Sequence, residues 1–312
     1  MQIISTEAKG ERSQTLLTQK LSFSDLEVRD YVSSLGLPGL IDLHVHFMPD
    51  NVMQKVWRNL EASGPLIGSP WPVHYKKSEG ERIELLEQLG VLRYGALNYP
   101  HKPDMAQWLN AWSAVFAKEN PKSFHNATFF AEPGADRYVA EALTAGAELF
   151  KVHIQVGGFD PRDPHLDAVW QLLESSHTPI VIHCGSGPTP GDFTGIGPIA
   201  EIVERHANLI LIIAHMGNPD YRQFLDLALS HPNIFLDTTM VFTEFTEKLA
   251  PFPSELIAHL DDLGEKIVLG SDFPNIPYPY ADQLSALANL GLGDDWIRGV
   301  LYQNAARLMN VR

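Results

Sequence analysis

The feature that most constrains the fold of this chain is a regular alternation of short apolar runs with segments of helical spacing. Eight of the runs are rich in β-branched or aliphatic residues, which is typical of β-strands. The predicted strands cover residues 39–47, 91–98, 125–132, 149–155, 179–184, 209–216, 233–239 and 266–273. The predicted helices between them cover residues 81–89, 104–119, 135–146, 166–175, 197–206, 221–230 and 254–263. Strands that alternate with helices indicate parallel βαβ units.

Two arrangements of such units are open at this point, a closed (β/α)8 TIM barrel and an open α/β sheet. Runs such as LILIIA (209–214) are apolar throughout, which fits strands covered on both faces. Eight repeats over roughly 230 residues match the barrel better, since that fold typically has about 250 residues. We therefore predict one barrel domain over residues 37–312, with the open sheet as the alternative. Residues 1–36 are polar and precede the first core strand, so we expect a short N-terminal extension there.

Two segments that follow predicted strands are expected to be loops at the site. Residues 48–78 carry prolines at positions 49, 65, 70 and 72, and residues 185–197 are rich in glycine. The glycine-rich segment lacks the pattern of a phosphate-binding loop. In a barrel, loops that follow strands lie on the face that holds the active site. We therefore expect both segments to border that site.

The composition argues against several classes of partner and excludes sites that need more than one cysteine. The 23 Lys and Arg residues against 38 Asp and Glu residues give a net charge of −15, which disfavours binding to nucleic acid or to a membrane surface. No apolar run approaches the ~20 residues that cross a bilayer. The single cysteine, Cys184, excludes an internal disulfide framework and a cysteine-based zinc finger. We therefore predict a cytoplasmic protein that acts on a small molecule.

The first predicted strand ends in a pair of histidines, His44 and His46. Side chains alternate along a strand, so both imidazoles face the same side and, in a barrel, converge on its axis. Two neutral imidazoles from one strand supply half of a typical zinc site. The alternative is a pair of hydrogen-bonded core histidines, which is costly on an apolar strand.

Further polar side chains occur near the ends of four other strands. His183 and His215 end the fifth and sixth strands, Asp272 lies in the eighth, and Lys151 and His153 lie two residues apart in the fourth. Taken singly, each could be a hydrogen-bonded polar group or a cap, and the lysine could pair with a carboxylate. Together they surround one mouth of the predicted barrel. This constellation favours a catalytic metal site, with Lys151 and His153 as additional metal or substrate contacts.

These segments resemble a known family. IDLHVHFMP, KVHIQVGGFDP, IVIHCG, IIAHMG, LGSDFP and the terminal NAARLM are similar to the amidohydrolase superfamily of metal-dependent barrels, over roughly residues 38–310. Their spacing resembles the amidohydrolase 2 branch, which includes decarboxylases of the aminocarboxymuconate-semialdehyde type. By position, the resemblance implies four metal ligands: His44, His46, His183 and Asp272.

The resemblance also implies a metal and a mechanism. Zinc is the most frequent metal of the family, although manganese, iron or cobalt can occupy such a site. In two-metal members a carboxylated lysine bridges the ions, and Lys151 would correspond to it; single-metal members need no ligand there, so the metal count stays open. Asp272 would move the proton of a metal-activated water, and His215 would polarise the scissile carbonyl or stabilise the oxyanion.

The leading function is thus hydrolysis of an ester, lactone or amide bond in a small molecule, and the composition of the loops suggests that this molecule is anionic. The alternative is non-oxidative decarboxylation of an aromatic or muconate-type acid. A third hypothesis is a metal-binding barrel without catalytic activity. The resemblance further implies a homodimer, and the sequence does not identify the substrate.

Overall fold

A computed structural model describes residues 20–311 of the chain, and all strands within that range pair in parallel and in chain order. Each of the eight predicted strands is present, but each is shorter than predicted. The strands are β1 Leu40–His46, β2 Val91–Leu97, β3 Ser123–Phe124, β4 Asn126–Thr128, β5 Leu149–His153, β6 Ile180–His183, β7 Leu211–Ile213, β8 Ile234–Asp237 and β9 Ile267–Val268.

The parallel strands join into a closed arrangement. The third predicted strand, 125–132, contains β4, and β3 precedes it, with His125 between the two; β3 pairs with β2, and β4 pairs with β5. Beyond β9, backbone hydrogen bonds return to β1: Leu43 N donates to Leu269 O at 3.0 Å, and Asp272 N donates to His44 O at 2.8 Å. The prediction of a (β/α)8 barrel is confirmed, and the open sheet is excluded.

Helices follow the strands, and a helix overlaps every predicted helical segment. The helices are α1 Val28–Ser34, α2 Asp50–Ala62, α3 Gly64–Ile67, α4 Glu79–Gln88, α5 Ala106–Glu119, α6 Ala135–Thr144, α7 Ile154–Gly157, α8 Asp167–Ser176, α9 Ile196–Arg205, α10 Tyr221–Ser230, α11 Glu244–Leu249, α12 Ile257–Asp262, α13 Tyr280–Ala288, α14 Asp294–Arg298 and α15 Asn304–Leu308. Over residues 20–311, none of them has the length and apolar character that a membrane crossing requires.

The segment 48–78 was expected to be a long loop, and this expectation is wrong. It folds into α2 and α3. Met53 and Trp57 lie four residues apart and are both buried, so α2 packs one face against the barrel. Pro65 lies in the first turn of α3, where the missing N–H group has no intrahelical partner to lose. The prolines therefore delimit two helices instead of preventing them.

The barrel interior is apolar at one end and polar at the other. A buried cluster includes Leu149 of β5 and Val181 of β6 together with residues of β1, β2, β3, β7 and β9, and it packs against the C-terminal helix. Two residues further along the same strands lie Lys151 and His183. Because side chains alternate along a strand, the apolar and polar residues share the inward face. The carboxyl ends of the strands thus present their polar side chains at one mouth.

The predicted N-terminal extension is described in part, because residues 1–19 lie outside the described range. The described part contacts the barrel through α13 and the residue after it. Leu21 N donates to Asn289 Oδ1 at 2.8 Å, and Ala281 N donates to Asp25 Oδ1 at 2.9 Å. Val28, in α1, is fully buried. Residues 20–36 therefore pack on the barrel wall.

Candidate metal centre

Two histidines and one carboxylate converge at the carboxyl ends of β1 and the segment after β9. His46 Nε2 lies 2.9 Å from Asp272 Oδ1, and His44 Nε2 lies 3.9 Å from the same oxygen. The potential ligand atoms of the three residues all lie within 4.8 Å of one another, and all three side chains are buried. Three of the four predicted metal ligands are therefore in contact around one point.

The other ring nitrogen of each histidine has a fixed partner. His44 Nδ1 donates to Asp237 Oδ2 at 2.8 Å, and His46 Nδ1 donates to the Leu97 carbonyl at 3.1 Å. A carboxylate and a carbonyl only accept hydrogen bonds, so each Nδ1 carries a proton and Nε2 is the ring nitrogen of each histidine that faces the centre. Such hydrogen bonds orient the histidines of metal sites.

This donor set fits a divalent cation. His46 Nε2 and the Asp272 carboxylate face each other at 2.9 Å. Positive charge between them is required, as a proton or as a metal ion. Imidazole nitrogen and carboxylate oxygen are ligands that zinc and other first-row divalent metals accept. The residues present therefore suit the metal that the sequence predicts.

Asp272 is held in its ionised form by its surroundings. Burial would raise the pKa of this carboxyl, but the hydrogen bond and charge of His46, with smaller effects of His44 and His215, hold the pKa well below its ordinary value. Its backbone has a φ of +68°, in the left-handed region that non-glycine residues rarely adopt. This bend follows the last strand and turns the carboxylate toward β1.

Lys151 lies beside the same centre from β5. Its Nζ is 3.2 Å from His44 Nε2, and the side chain is fully buried. Burial lowers the pKa of Lys151 to about 8, with Asp237 and Asp272 acting in the opposite direction. This position suits two roles for Lys151: a ligand of a second metal ion, or a positively charged group beside a single metal ion. Its predicted role therefore stays a prediction.

His215 lies in a turn after β7, next to the ring of His44. Its ring centroid is 5.2 Å from that of His44. Its backbone N–H donates to Asp237 Oδ1 at 2.8 Å, and its Nδ1 donates to the Thr239 carbonyl at 3.1 Å. Burial lowers the pKa of His215 to about 4. The neutral ring thus presents an accepting Nε2, and donation to an oxyanion would first require a proton there.

His183 and His153 form a stacked pair next to this group. Their ring centroids are 3.8 Å apart at an interplanar angle of 12°. His183 Nε2 donates to the Gly187 carbonyl at 3.0 Å, and His153 Nδ1 accepts from Val156 N at 3.3 Å. Within the described chain, His183 is not part of the three-residue group. Because its Nε2 donates to the Gly187 carbonyl, Nδ1 is the ring atom left for a metal. The prediction that His183 is a ligand stays untested.

Asp237 is a site residue that the sequence reasoning missed. It ends β8, is fully buried, and contacts both His44 and the backbone of His215. Burial raises the pKa of its carboxyl, while His215 and Lys151 act to lower it. The signal in the sequence was the same as for Asp272: a carboxylate at the end of an apolar run, here NIFLD. Such a charge is costly unless it is paired.

The seven predicted site residues all line one cavity of about 770 Å³ above the centre: His44, His46, Lys151, His153, His183, His215 and Asp272. The expectation that both loops border the site holds in part, because the lining includes residues of α2, α3 and the segment 185–190. A cavity of this volume is in the range of small-molecule sites.

Solved structures with the same fold share little sequence with this chain. An uncharacterized TIM-barrel protein from Bordetella bronchiseptica is 18% identical, with a TM-score of 0.70, over 87% of this chain and 98% of that one. A probable 2-pyrone-4,6-dicarboxylic acid hydrolase from Acinetobacter baumannii, with citric acid bound, is 13% identical, with a TM-score of 0.59, over 87% and 99%. These likenesses show the barrel fold.

A third structure has a metal bound. The 5-carboxyvanillate decarboxylase from Novosphingobium aromaticivorans, complexed with manganese and 4-hydroxy-3-methoxy-5-nitrobenzoic acid, is 13% identical, with a TM-score of 0.58, over 88% of this chain and 96% of that one. None of the curated proteins compared with the chain matches it.

A sequence model of the amidohydrolase 2 family, described as amidohydrolase, matches residues 41–311. That range covers β1 to β9 and all seven site residues. The family binds divalent metals, in agreement with the donor set around Asp272. The chain therefore belongs to the amidohydrolase family of metal-dependent enzymes.

Proposed function

We propose that this protein is a metal-dependent hydrolase that cleaves an ester, lactone or amide bond of a small molecule with water. The observation that carries the proposal is the contact of His46 Nε2 with Asp272 Oδ1 at 2.9 Å, a pair that needs a proton or a metal ion between its two atoms. A buried centre of this kind at the mouth of a barrel is typical of catalytic sites. Family membership supports an enzyme and leaves the reaction to be tested.

His44, His46 and Asp272 would hold the ion, with His183 as the fourth ligand. Zinc is our first choice because two or three imidazoles and a carboxylate with an open position are typical of catalytic zinc sites. Manganese is the second choice, since the decarboxylase from Novosphingobium aromaticivorans contains it. When bound, such an ion lowers the pKa of its water toward roughly 7 and polarises a carbonyl oxygen.

The side chains around the centre would move the protons. Asp272 would orient the attacking water, accept its proton and pass the proton to the leaving group, as a general acid and base does. The accepting Nε2 of neutral His215 would hold a second hydrogen of that water. The role that the sequence predicts for His215, donation to the oxyanion, requires a proton on this nitrogen.

The substitution Asp272→Asn tests this function. The amide cannot accept the proton, so we expect kcat to fall by about 10²- to 10⁴-fold while the thermal unfolding temperature stays within the range of surface variants. The assay is a panel of esters, lactones and amides with zinc-loaded protein. Asp163→Asn, on a partly exposed residue outside the cavity, is the control. Retained activity in Asp272→Asn would contradict the assignment.

Non-oxidative decarboxylation is the second candidate. Lys151, buried 3.2 Å from His44 Nε2, could hold a substrate carboxylate at the centre and thus favours this reaction. Release of carbon dioxide from an aromatic or muconate-type acid, with no turnover of the ester panel, would establish it. Full metal loading with no turnover of either panel would support the non-catalytic barrel. A homodimer and a cytoplasmic location stay predictions.

A further inference from the structure

The cavity above the centre has two chemically different parts. Its floor consists of the seven histidine, lysine and aspartate side chains at the strand ends. The upper part, here called the wall, is built by apolar side chains of α2, α3 and α11 and by Trp71, which follows α3. The wall residues are Val56, Leu60, Ile67, Trp71, Phe245 and Leu249. A molecule that reaches the floor must therefore lie with its body against apolar surface.

Three polar side chains of the lining outside the floor already have partners within the protein, whereas Thr239 Oγ1, an uncharged hydroxyl, has none among the described residues. Gln155 Nε2 donates to Thr189 Oγ1 at 2.6 Å, and Ser186 Oγ donates to Asp220 Oδ2 at 2.6 Å. Asn275 Oδ1 accepts from a tryptophan N–H group of α2 at 3.1 Å. These groups line the cavity, but breaking their hydrogen bonds to bind a ligand would cost part of what the new bonds gain.

The wall carries no formal charge. No arginine is among the described residues that line the cavity, and its one lysine is Lys151, which lies on the floor beside His44. A carboxylate held against the wall would therefore lose its hydration without gaining an ion pair. Burial of an unpaired carboxylate is strongly unfavourable.

We infer that the substrate carries its one polar group at the reacting centre and has an uncharged aromatic or branched aliphatic body, so that a second carboxylate is rejected. This inference rests on the proposed function for the identity of the reacting group. The cavity of about 770 Å³ leaves room for such a body above the centre. The inference of an uncharged body replaces the expectation of an anionic substrate that the loop composition suggested.

A pair of esters of matched shape tests the inference. Methyl 4-acetoxybenzoate and 4-acetoxybenzoate share the scissile acetyl group and differ in the charge at the far end of the ring. We expect kcat/KM, divided by the rate constant of hydroxide hydrolysis, to favour the methyl ester by about 100-fold. An equal ratio, or a preference for the carboxylate, would overturn the inference.

Binding of unreactive analogues separates this inference from the proposed function. Methyl 4-acetylbenzoate and 4-acetylbenzoate are ketones of the same shape, and their dissociation constants for the zinc-loaded protein can be measured by calorimetry. Tighter binding of the methyl ester by about 100-fold, with no turnover of any ester, lactone or amide, would retain the apolar wall and reject the hydrolase. Tighter binding of the carboxylate would reject the wall whatever the turnover.

A matched pair of arginine variants locates the effect on the wall. Leu60→Arg places a cation on a half-buried wall position, whereas Leu66→Arg places the same charge on a neighbouring residue that is 80% exposed and outside the lining. We expect Leu60→Arg to reduce the preference for the methyl analogue by about 10-fold or more and Leu66→Arg to leave it unchanged. Ile67→Arg is the second wall variant if Leu60→Arg does not fold. An unchanged preference in both folded wall variants would overturn the inference.

Discussion

The substitution Asp237→Asn perturbs the metal centre through one hydrogen bond. Asp237 Oδ2 accepts from His44 Nδ1 at 2.8 Å, and Asp237 Oδ1 accepts from the backbone of His215 at 2.8 Å and of Thr239 at 3.1 Å. Asparagine has nearly the same shape, and its carbonyl oxygen can keep the two backbone hydrogen bonds. Its NH2 group then faces His44 Nδ1, so two donors oppose each other.

The ring of His44 can relieve this conflict by moving its proton from Nδ1 to Nε2. That change removes the lone pair that faces Asp272 and takes one ligand atom from the centre. Loss of the carboxylate also removes a negative charge from a fully buried position. Changes to a group that orients a metal-binding histidine typically cost 10- to 100-fold in metal affinity, or about 1.4 to 2.7 kcal/mol. We expect a loss in that range for Asp237→Asn.

The assay is the zinc dissociation constant from competition with a chromophoric chelator at neutral pH. Asp163→Asn is a matched control, because Asp163 Oδ1 lies 2.7 Å from His165 Nδ1 in a pair that is 34% and 49% exposed. This control should bind zinc as the wild type does. An Asp237→Asn protein that is folded and binds zinc within about 2-fold of wild type would refute the reasoning.

Two further predictions concern the support of the site. At Gly270 a Cβ would overlap Thr239 Oγ1 and lie 2.8 Å from His44 Cβ, so Gly270→Ala should cost about 1–3 kcal/mol in the free energy of unfolding and lower metal occupancy. Urea titration and metal analysis check both, and an unchanged midpoint would contradict the first. Trp57→Phe removes the N–H that Asn275 Oδ1 accepts at 3.1 Å, which should cost about 1–3 kcal/mol. Trp108→Phe, at a side chain 46% exposed, is its control and should have little effect in the same urea titration.

The barrel could be predicted because its pattern is local. Each strand and helix is visible in a short window of sequence, and eight repeats leave few alternatives. The ends of strands were less predictable, as the eighth shows: β9 is Ile267–Val268, whereas residues 266–273 were expected. Beyond β9 the chain bends at Asp272, whose φ is +68°, to contact β1. That bend depends on partners distant in sequence. The helix α2 was overlooked because the flanking prolines outweighed the spacing of its buried residues.

The sequence predicted most of the residues that form the candidate site, but it did not predict which of them contact one another. Strand alternation places His44 and His46 on one face, and parallel strands bring Asp272 to the same mouth. The hydrogen bond of His183 Nε2 to the Gly187 carbonyl depends on the path of the loop after β6, which the sequence does not specify. Asp237 was missed because one carboxylate at a strand end resembles many others until its partners are known. Long-range hydrogen bonds therefore decide which strand-end residues act together.

The measurement that tests the central claim most directly is the metal content of protein purified without chelator or metal-binding tag, before and after loading with zinc. Plasma mass spectrometry of wild type and His46→Ala would give the stoichiometry. We predict about one zinc or manganese ion per wild-type chain and loss of that ion in the variant, because the variant lacks one of the ligands. About two ions would assign Lys151 to a second metal. A wild-type chain that holds no metal after loading with zinc would contradict the metal centre and the function built on it.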